Sequence, residues 1–164
     1  MQILVTGGLG YIGSHTTVEL LQKGFDVVIV DDLSNSKLNV FDKIKKITGK
    51  NPKLEIIDLK NKSEVKKLFT NFSFDGIIHF AAHKSVNESV NFPEKYFNNN
   101  IGGLENLLEN IDEKMYFIFS SSCTVYGQAD RMPITENHPI KKSESPYGET
   151  KQICEGILKK FCEA

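Results

Sequence analysis

The sequence predicts an α/β fold, a doubly wound parallel sheet of about five strands with flanking helices. Two observations carry that expectation. Short runs rich in β-branched and apolar residues alternate with stretches of helical spacing, the signature of βαβ units. Several runs are nearly continuous in apolar residues, Val27-Val28-Ile29-Val30 and Tyr116-Phe117-Ile118-Phe119 among them, as strands covered on both faces must be. In order, the strands are Gln2–Thr6, Val27–Asp31, Leu54–Ile57, Gly76–Ala81 and Tyr116–Ser120. A helix over Ser14–Lys23 places Val18 and Leu21 on one face and stops at Gly24. Leu38, Phe41, Ile44 and Ile47 recur at helical spacing ahead of Gly49 and Pro52. Val65, Leu68 and Phe69 mark a short helix capped by Asn61 or Ser63. A longer helix starts near Pro93 and carries Leu104, Leu107, Leu108 and Ile111, with Gly102-Gly103 permitting a close approach. The last starts near Pro146, after a polar loop from Gly127 to Ser145, and includes Ile153, Ile157, Leu158 and Phe161. No sixth strand follows.

A length of 164 residues argues for one domain. Hydrophobic residues make up 40% and charged residues 25%, values of a folded rather than a disordered chain. Twenty Lys and Arg stand against 21 Asp and Glu, so no global charge favours nucleic acid or an anionic membrane as partner. The lysines from Lys43 to Lys67 are interleaved with acids and read as a solvated face. No run approaches the ~20 apolar residues of a membrane span, and the first residues lack the pattern of a signal peptide. Cys123, Cys154 and Cys162 are an odd count without Cys-x-x-Cys spacing, which indicates neither a disulfide framework nor a metal site. A reduced, cytoplasmic enzyme or binding domain is the expectation. His79 reads as a hydrogen-bonded core histidine, His15 as packed or solvated, and Cys123 as a small buried residue rather than a nucleophile.

The first strand runs into Gly7-Gly8-Leu9-Gly10-Tyr11-Ile12-Gly13 and then a helix. Glycine is required where backbone N–H groups approach a pyrophosphate closely, and a helix N-terminus offers unpaired donors and partial positive charge. Gly7, Gly10 and Gly13 depart from the Gly-x-Gly-x-x-Gly spacing of the general dinucleotide fingerprint. The strand before, the helix after and Asp31 at the end of the second strand supply the context of a Rossmann-type site. A carboxylate there accepts ribose hydroxyls and repels a 2′-phosphate, which favours NAD over NADP. The same residues also fit a tight turn beside a solvated aspartate.

Tyr147 and Lys151 stand four apart on a predicted helix and share a face. Tyrosine, with a pKa of about 10, is a poor base at neutral pH unless a nearby cation favours the phenolate. The run Ser120-Ser121-Ser122 lies where the fifth strand ends, on the side where such sheets bind ligands. Taken singly, the Tyr–Lys pair also fits a surface helix and the serines a polar strand exit.

Together, Thr6-Gly7-Gly8-x-Gly10-x-x-Gly13, Asp31, the run from Ser120 to Gly127, and Tyr147-Gly148-Glu149-Thr150-Lys151 resemble the extended short-chain dehydrogenase/reductases. Within them the chain is similar to the UDP-hexose 4-epimerases. That similarity rests on Gly10-Tyr11-Ile12-Gly13-Ser14-His15, Asp32-Leu33-Ser34-Asn35-Ser36 and His79-Phe80-Ala81-Ala82-His83-Lys84. It rests also on Asn87-Glu88-Ser89-Val90 followed by Pro93 and Tyr96, and on Asn98-Asn99-Asn100. It runs from the first residue to the end.

The resemblance implies an NAD-binding Rossmann domain over residues 1–164, carrying the catalytic Ser122, Tyr147 and Lys151, with the C-terminal substrate-binding domain absent. Tyr11 and Ile12 would offer backbone N–H groups to the pyrophosphate, and Asp31, Asn35 and Ser36 would line the adenosine. Asp58 would bind the adenine amino group, with Leu59 against the ring. Phe80 and Ala81 would lie beneath the cofactor, Lys84 would reach the nicotinamide-ribose hydroxyls, Asn99 would face the site from the long helix, and Tyr147 and Lys151 would also bind the cofactor. The implied reaction, a step of galactose metabolism, interconverts UDP-galactose and UDP-glucose through a 4-keto sugar by transient hydride transfer to NAD. The alternatives are a catalytically silent NAD-binding fragment or an epimerase of another UDP-sugar. Nucleotide-sugar dehydratases need an extra acid/base pair, typically Asp-Glu, where Cys123-Thr124 stand here. The resemblance further implies a homodimer through the helices starting near Pro93 and Pro146. It covers the cofactor half of an enzyme about twice this long, so turnover by this chain alone is expected to be weak or nil. Tyr116–Ser120 is then an exposed sheet edge.

Overall fold

The computed structural model describes residues 1–163. In chain order its elements are β1 (Gln2–Thr6), α1 (Tyr11–Gln22), β2 (Asp26–Asp31), α2 (Asn39–Thr48), β3 (Lys53–Ile56) and α3 (Lys62–Asn71). There follow β4 (Gly76–His79), α4 (Val86–Asn91), α5 (Pro93–Leu108), β5 (Tyr116–Phe119), a 3-10 turn (Cys123–Tyr126) and α6 (Pro146–Glu163). They divide into two compact units. One comprises Met1–Ala81 and Glu105–Ser120; the other comprises Ala82–Leu104 and the chain from Ser121 onward.

The first unit holds a five-stranded sheet in the order β3-β2-β1-β4-β5. Every neighbouring pair is parallel, Leu4 lying opposite Val28 on one side and Ile77 on the other. Alternate residues of each strand feed opposite faces, because successive side chains point to opposite sides. Ile3, Val5, Val27 and Ile29 pack with Leu21 and Ile44 of α1 and α2. Leu4, Val28, Val30 and Ile77 pack with Val65 and Leu68 of α3 and with Leu107. The sheet is therefore doubly wound, as its apolar strands require. Winding reverses between β1 and β4, and at such a switch point the carboxyl ends of the strands open a ligand crevice.

Several boundaries move for local reasons. Helix α1 begins at Tyr11 rather than Ser14, because extended Gly10 caps it and its carbonyl accepts the Ser14 N–H at 2.9 Å. Asn61 is the cap of α3, its side chain accepting from the Glu64 N–H at 3.3 Å and from the Ser63 hydroxyl at 2.8 Å. Helix α2 ends at Gly49 with φ +65°, yet of its apolar repeat only Ile44 is buried, and Leu38 and Ile47 are exposed. Strands β4 and β5 stop at His79 and Phe119. Helix α5 ends at Leu108, and Ile111 reaches the same core cluster from the turn beyond it. The lysine stretch is a solvated face: Lys45 pairs with Asp42 at 2.8 Å, and Lys62 with Glu109 at 2.6 Å.

The second unit is helical. Helix α4, too short to show a period, is capped by the Ser85 side chain, which accepts from the Glu88 N–H. Helix α6 packs against α4 and against the 3-10 turn. Its buried residues are Tyr147, Gly148, Thr150, Lys151 and Cys154, whereas Ile153 and Phe161 are exposed. Of the apolar repeat read from the sequence, Ile157 and Leu158 are half-buried and follow Cys154 at helical spacing on the packed face, whereas Ile153 and Phe161 fall outside it. No atom lies within 4 Å of a Cβ placed on Gly102, whereas Gly103 is buried.

Candidate active site

In the first unit the loop after β1 is built by exclusion of side chains. Gly7 has φ +65°, and a Cβ on it would stand 2.7 Å from the Ala81 nitrogen. A Cβ on Gly13 would overlap the Gly7 carbonyl oxygen. Residues 7 and 13 thus touch backbone to backbone, which a side chain would forbid. Because α1 starts at Tyr11, the N–H groups of Tyr11, Ile12 and Gly13 belong to its first turn, where the helix supplies no partner. Tyr11 and Ile12 are 77% and 57% exposed, so the side chains stand clear of that turn.

Asp31 closes the loop from the side. Its Oδ2 accepts from the Leu9 N–H at 2.9 Å, and its Oδ1 accepts from the Leu33 N–H at 3.0 Å and the Ser36 hydroxyl at 2.6 Å. A carboxylate has about four acceptor positions; three are taken by protein. Asn35 is exposed beside Ser36. Leu33 holds φ +60°, an uncommon conformation for a branched residue, which lets its N–H turn back to Asp31.

Asp58 is partly exposed beyond β3 and bonds the N–H of Lys60 at 2.9 Å and its ammonium at 3.0 Å. The side chain of Leu59 lies in the core, 8% exposed, leaving only its backbone to face outward. Phe80 and Ala81 follow β4 half-buried. His79 is a core histidine as expected: it is 2% exposed and its Nδ1 lies 2.7 Å from the Thr6 hydroxyl. That hydroxyl also accepts from the Ala81 N–H at 3.4 Å, which ties β4's exit to the start of the glycine loop.

The second unit carries the residues of the second motif. Ser122 caps the 3-10 turn, its Oγ accepting from the Thr124 N–H at 3.3 Å and the Thr124 hydroxyl at 3.0 Å. Ser121 is exposed and donates to Glu155, so the structure separates the three serines by environment. Cys123 is exposed, not buried as expected, because the 3-10 turn directs Val125 inward instead. Tyr147 is 9% exposed and Lys151 4% exposed, one helical turn apart. Burial pulls Lys151 down from 10.5 to about 8, against opposing influences of Cys154 and Glu155. Lys84 is exposed, and Asn99 is half-buried with its amide donating to Asn100 at 3.1 Å.

Three supporting residues had no assigned role. Gly148 follows Tyr147; a Cβ there would overlap the Ser143 hydroxyl and stand 3.1 Å from the Thr124 side chain. Its lack of a side chain lets the Tyr147 turn meet the residue that bonds Ser122. Tyr96 is fully buried, lies edge-on to Tyr147 at 6.4 Å between centroids, and donates to Glu88 at 2.7 Å. Burial and the Glu88 carboxylate push its hydroxyl up to about 12, so it stays protonated where Tyr147 would work. The third, Gln152, is taken up below. Gly148 and Tyr96 fall within the motifs that carry the resemblance, but no spacing shows what they touch, and Gln152 falls in none; only packing supplies those contacts.

The first unit fits a dinucleotide on its own observations: a cradle that any Cβ would fill, a helix opening onto it, and a carboxylate with one acceptor position left. These residues can hold a pyrophosphate and a ribose; those of the second unit can move a proton.

Comparison with known proteins agrees. Residues 4–164 match the family model described as GDP-mannose 4,6 dehydratase. UDP-glucose 4-epimerase of Dictyostelium discoideum is 45% identical over 163 residues, 98% of this chain and 47% of that protein. UDP-glucose 4-epimerase of Bacillus subtilis is 45% identical over 161 residues, 97% of this chain and 47% of that protein. Among solved structures, UDP-glucose 4-epimerase from Bifidobacterium longum in complex with NAD+ and UDP superposes with a TM-score of 0.94 at 40% identity. It is matched over 98% of this chain and 48% of that one. The chain thus spans about half the length of the curated relatives it matches. It belongs to the GDP-mannose 4,6 dehydratase family of extended short-chain dehydrogenase/reductases, and within that family it is similar to the N-terminal portion of UDP-glucose 4-epimerases.

Proposed function

We propose that this chain is the NAD-binding and proton-transferring half of a UDP-glucose 4-epimerase. The observation that carries the chemistry is the pair Tyr147 and Lys151, both buried on one face of α6, with the lysine drawn down to about 8. Gly7, Gly10 and Gly13, with the N–H groups of Tyr11 and Ile12, would receive the pyrophosphate. Asp31, Asn35 and Ser36 would receive the adenosine ribose, and Asp58 and the Leu59 backbone the adenine. Phe80, Ala81, Lys84 and Asn99 would flank the nicotinamide end. Bound NAD would supply reversible acceptance of the hydride from C4 of the sugar.

The chain's own residues would handle the proton. As a phenolate, Tyr147 would take it from the sugar 4-hydroxyl, with the Ser122 hydroxyl bridging the two oxygens. Below pH 8 the Lys151 ammonium keeps its charge and favours that phenolate. Once the 4-keto sugar has presented its other face to the cofactor, Tyr147 would give the proton back to the C4 oxygen, so the epimerisation involves no net redox change. Dehydration would need a further acid/base pair, and Cys123 and Thr124 provide no carboxyl group there. The substrate would be UDP-galactose or UDP-glucose. A homodimer through α5 and α6 would cover Ile153 and Phe161, and the cytoplasm is the proposed site of action.

Two measurements test this. The purified chain should retain NAD, and conversion of UDP-galactose to UDP-glucose, weak for this half alone, should depend on Tyr147. The substitution Tyr147→Phe should lower that conversion about 10²–10⁴-fold and leave NAD retention unchanged. Equal conversion in both proteins overturns the role of Tyr147, and absence of NAD overturns the cofactor assignment.

A further inference from the structure

Between the 3-10 turn and α6 the chain makes an excursion through residues 128–140. Its two ends run close together: a Cβ on Gly127, which has φ +59°, would overlap the Lys142 carbonyl oxygen. At this base lies Gln152, the residue after Lys151. Its Nε2 donates to the Val125 carbonyl at 2.7 Å and to the Lys141 carbonyl at 2.6 Å. An amide nitrogen has two protons, and both are used. One goes to the turn that Ser122 caps, the other to the returning strand of the excursion. The Lys141 ammonium adds a bond to Asp130 on the outgoing side.

We propose that Gln152 is a positioning residue: it fastens the turn bearing Ser122, and the base of the 128–140 excursion, to the helix bearing Tyr147 and Lys151. The physical argument is one of degrees of freedom. Ser122 reaches its place at the end of a four-residue turn whose Oγ is held only by Thr124, from within the same turn. Gly148 lets the turn approach α6 but bonds nothing to it. The Gln152 amide supplies a directional tie, and it fixes the Val125 carbonyl three residues downstream of the Ser122 carbonyl, which accepts the Val125 N–H at 3.2 Å. Any group transferring a proton between substrate and Tyr147 must keep its oxygen within a few tenths of an ångström. Gln152 would act on the rate through Ser122 and touch neither substrate nor cofactor. In this the inference rests on the function proposed above.

The test uses the full chain with Gln152→Leu, which removes both donors at similar volume, and Gln152→Lys, whose ammonium can donate to both carbonyls. Amide hydrogen exchange at Val125–Gly127 and proteolysis within 128–140 should speed up about ten-fold in Gln152→Leu, with exchange in the sheet unchanged. Both should return towards the original in Gln152→Lys. Conversion of UDP-galactose should fall in kcat at constant KM, and Gln152→Leu should add nothing in a Ser122→Ala background. Unchanged local exchange overturns the inference, as does a rate effect that multiplies with that of Ser122→Ala. If the unsubstituted chain neither retains NAD nor converts substrate, the proposed function falls, while exchange and its rescue still decide whether Gln152 holds the turn.

Discussion

The loop after β1 and the face of α6 are both candidate sites, but they are made in opposite ways. Around the glycine loop the neighbours packed beneath are largely apolar, Val5, Leu9 and Ile29 being at most 2% exposed, and the buried Thr6 and His79 bond each other. The site itself is backbone. On α6 the buried face is polar, with Thr150 fully buried and Lys151 nearly so, while Ile153 and Phe161 are exposed. The first arrangement costs little, since backbone donors at a helix start are unpaired in any case. The second holds a cation away from water, and that burial is unfavourable unless function repays it. A binding site can be shaped by omission, whereas a proton-transfer site has to carry charge inside.

Substitutions can break this contrast or sharpen it. Apart from Tyr147→Phe, the largest effect is expected at Gly13. Gly13→Val puts a branched side chain against the Gly7 carbonyl, and should destabilise the chain by about 2–4 kcal/mol and abolish NAD retention. Calorimetry and cofactor content after purification read this out; a chain that keeps both would mean the cradle is soft.

Next comes Lys151→Met, which should stabilise. With its pKa near 8 in the folded chain and near 10.5 unfolded, the lysine costs about 3 kcal/mol wherever both states are protonated, below pH 8. Between pH 8 and 10.5 the unfolded chain binds more protons, so the stability of the original chain rises with pH across that window. The gain from Lys151→Met should therefore be full at pH 7 and vanish towards pH 10.5. A pH-independent difference in urea midpoints would show that burial of charge is not the cause.

The smallest effect is at Gly156. Nothing lies within 4 Å of a Cβ there, in the interior of α6. Gly156→Ala should stabilise by about 0.5–1 kcal/mol, against the loss at Gly13. A matching loss at both would erase the distinction between a glycine required by contact and one merely tolerated.

Much of this was legible before any coordinates. Gly7, Gly10, Gly13 and Asp31 could be read because the strand before, the helix after and the next strand's end are local, and the nearly continuous apolar runs of β1 and β2 mark strands covered on both faces. Tyr147 and Lys151 could be paired because helical spacing alone puts them on one face. The contacts that Gly148, Tyr96 and Gln152 make could not be read in this way. Each acts on a residue distant in sequence: Thr124, Tyr147, and Val125 with Lys141. The exposure of Cys123 was misread for the same reason, since a single 3-10 turn leaves no periodic trace.

The sequence by itself determined the strand–helix alternation, the five parallel strands, the glycine loop and the Tyr–Lys pair, because repeating backbone geometry writes them as periods and fixed spacings. Only the tertiary structure decided which face of α6 is buried and what holds Ser122 in place. Those outcomes depend on which surfaces meet: the hydrophobic spacing on α6 takes in Ile153 and Phe161, which are exposed, as well as Ile157 and Leu158, while the packed face also buries Tyr147, Thr150 and Lys151.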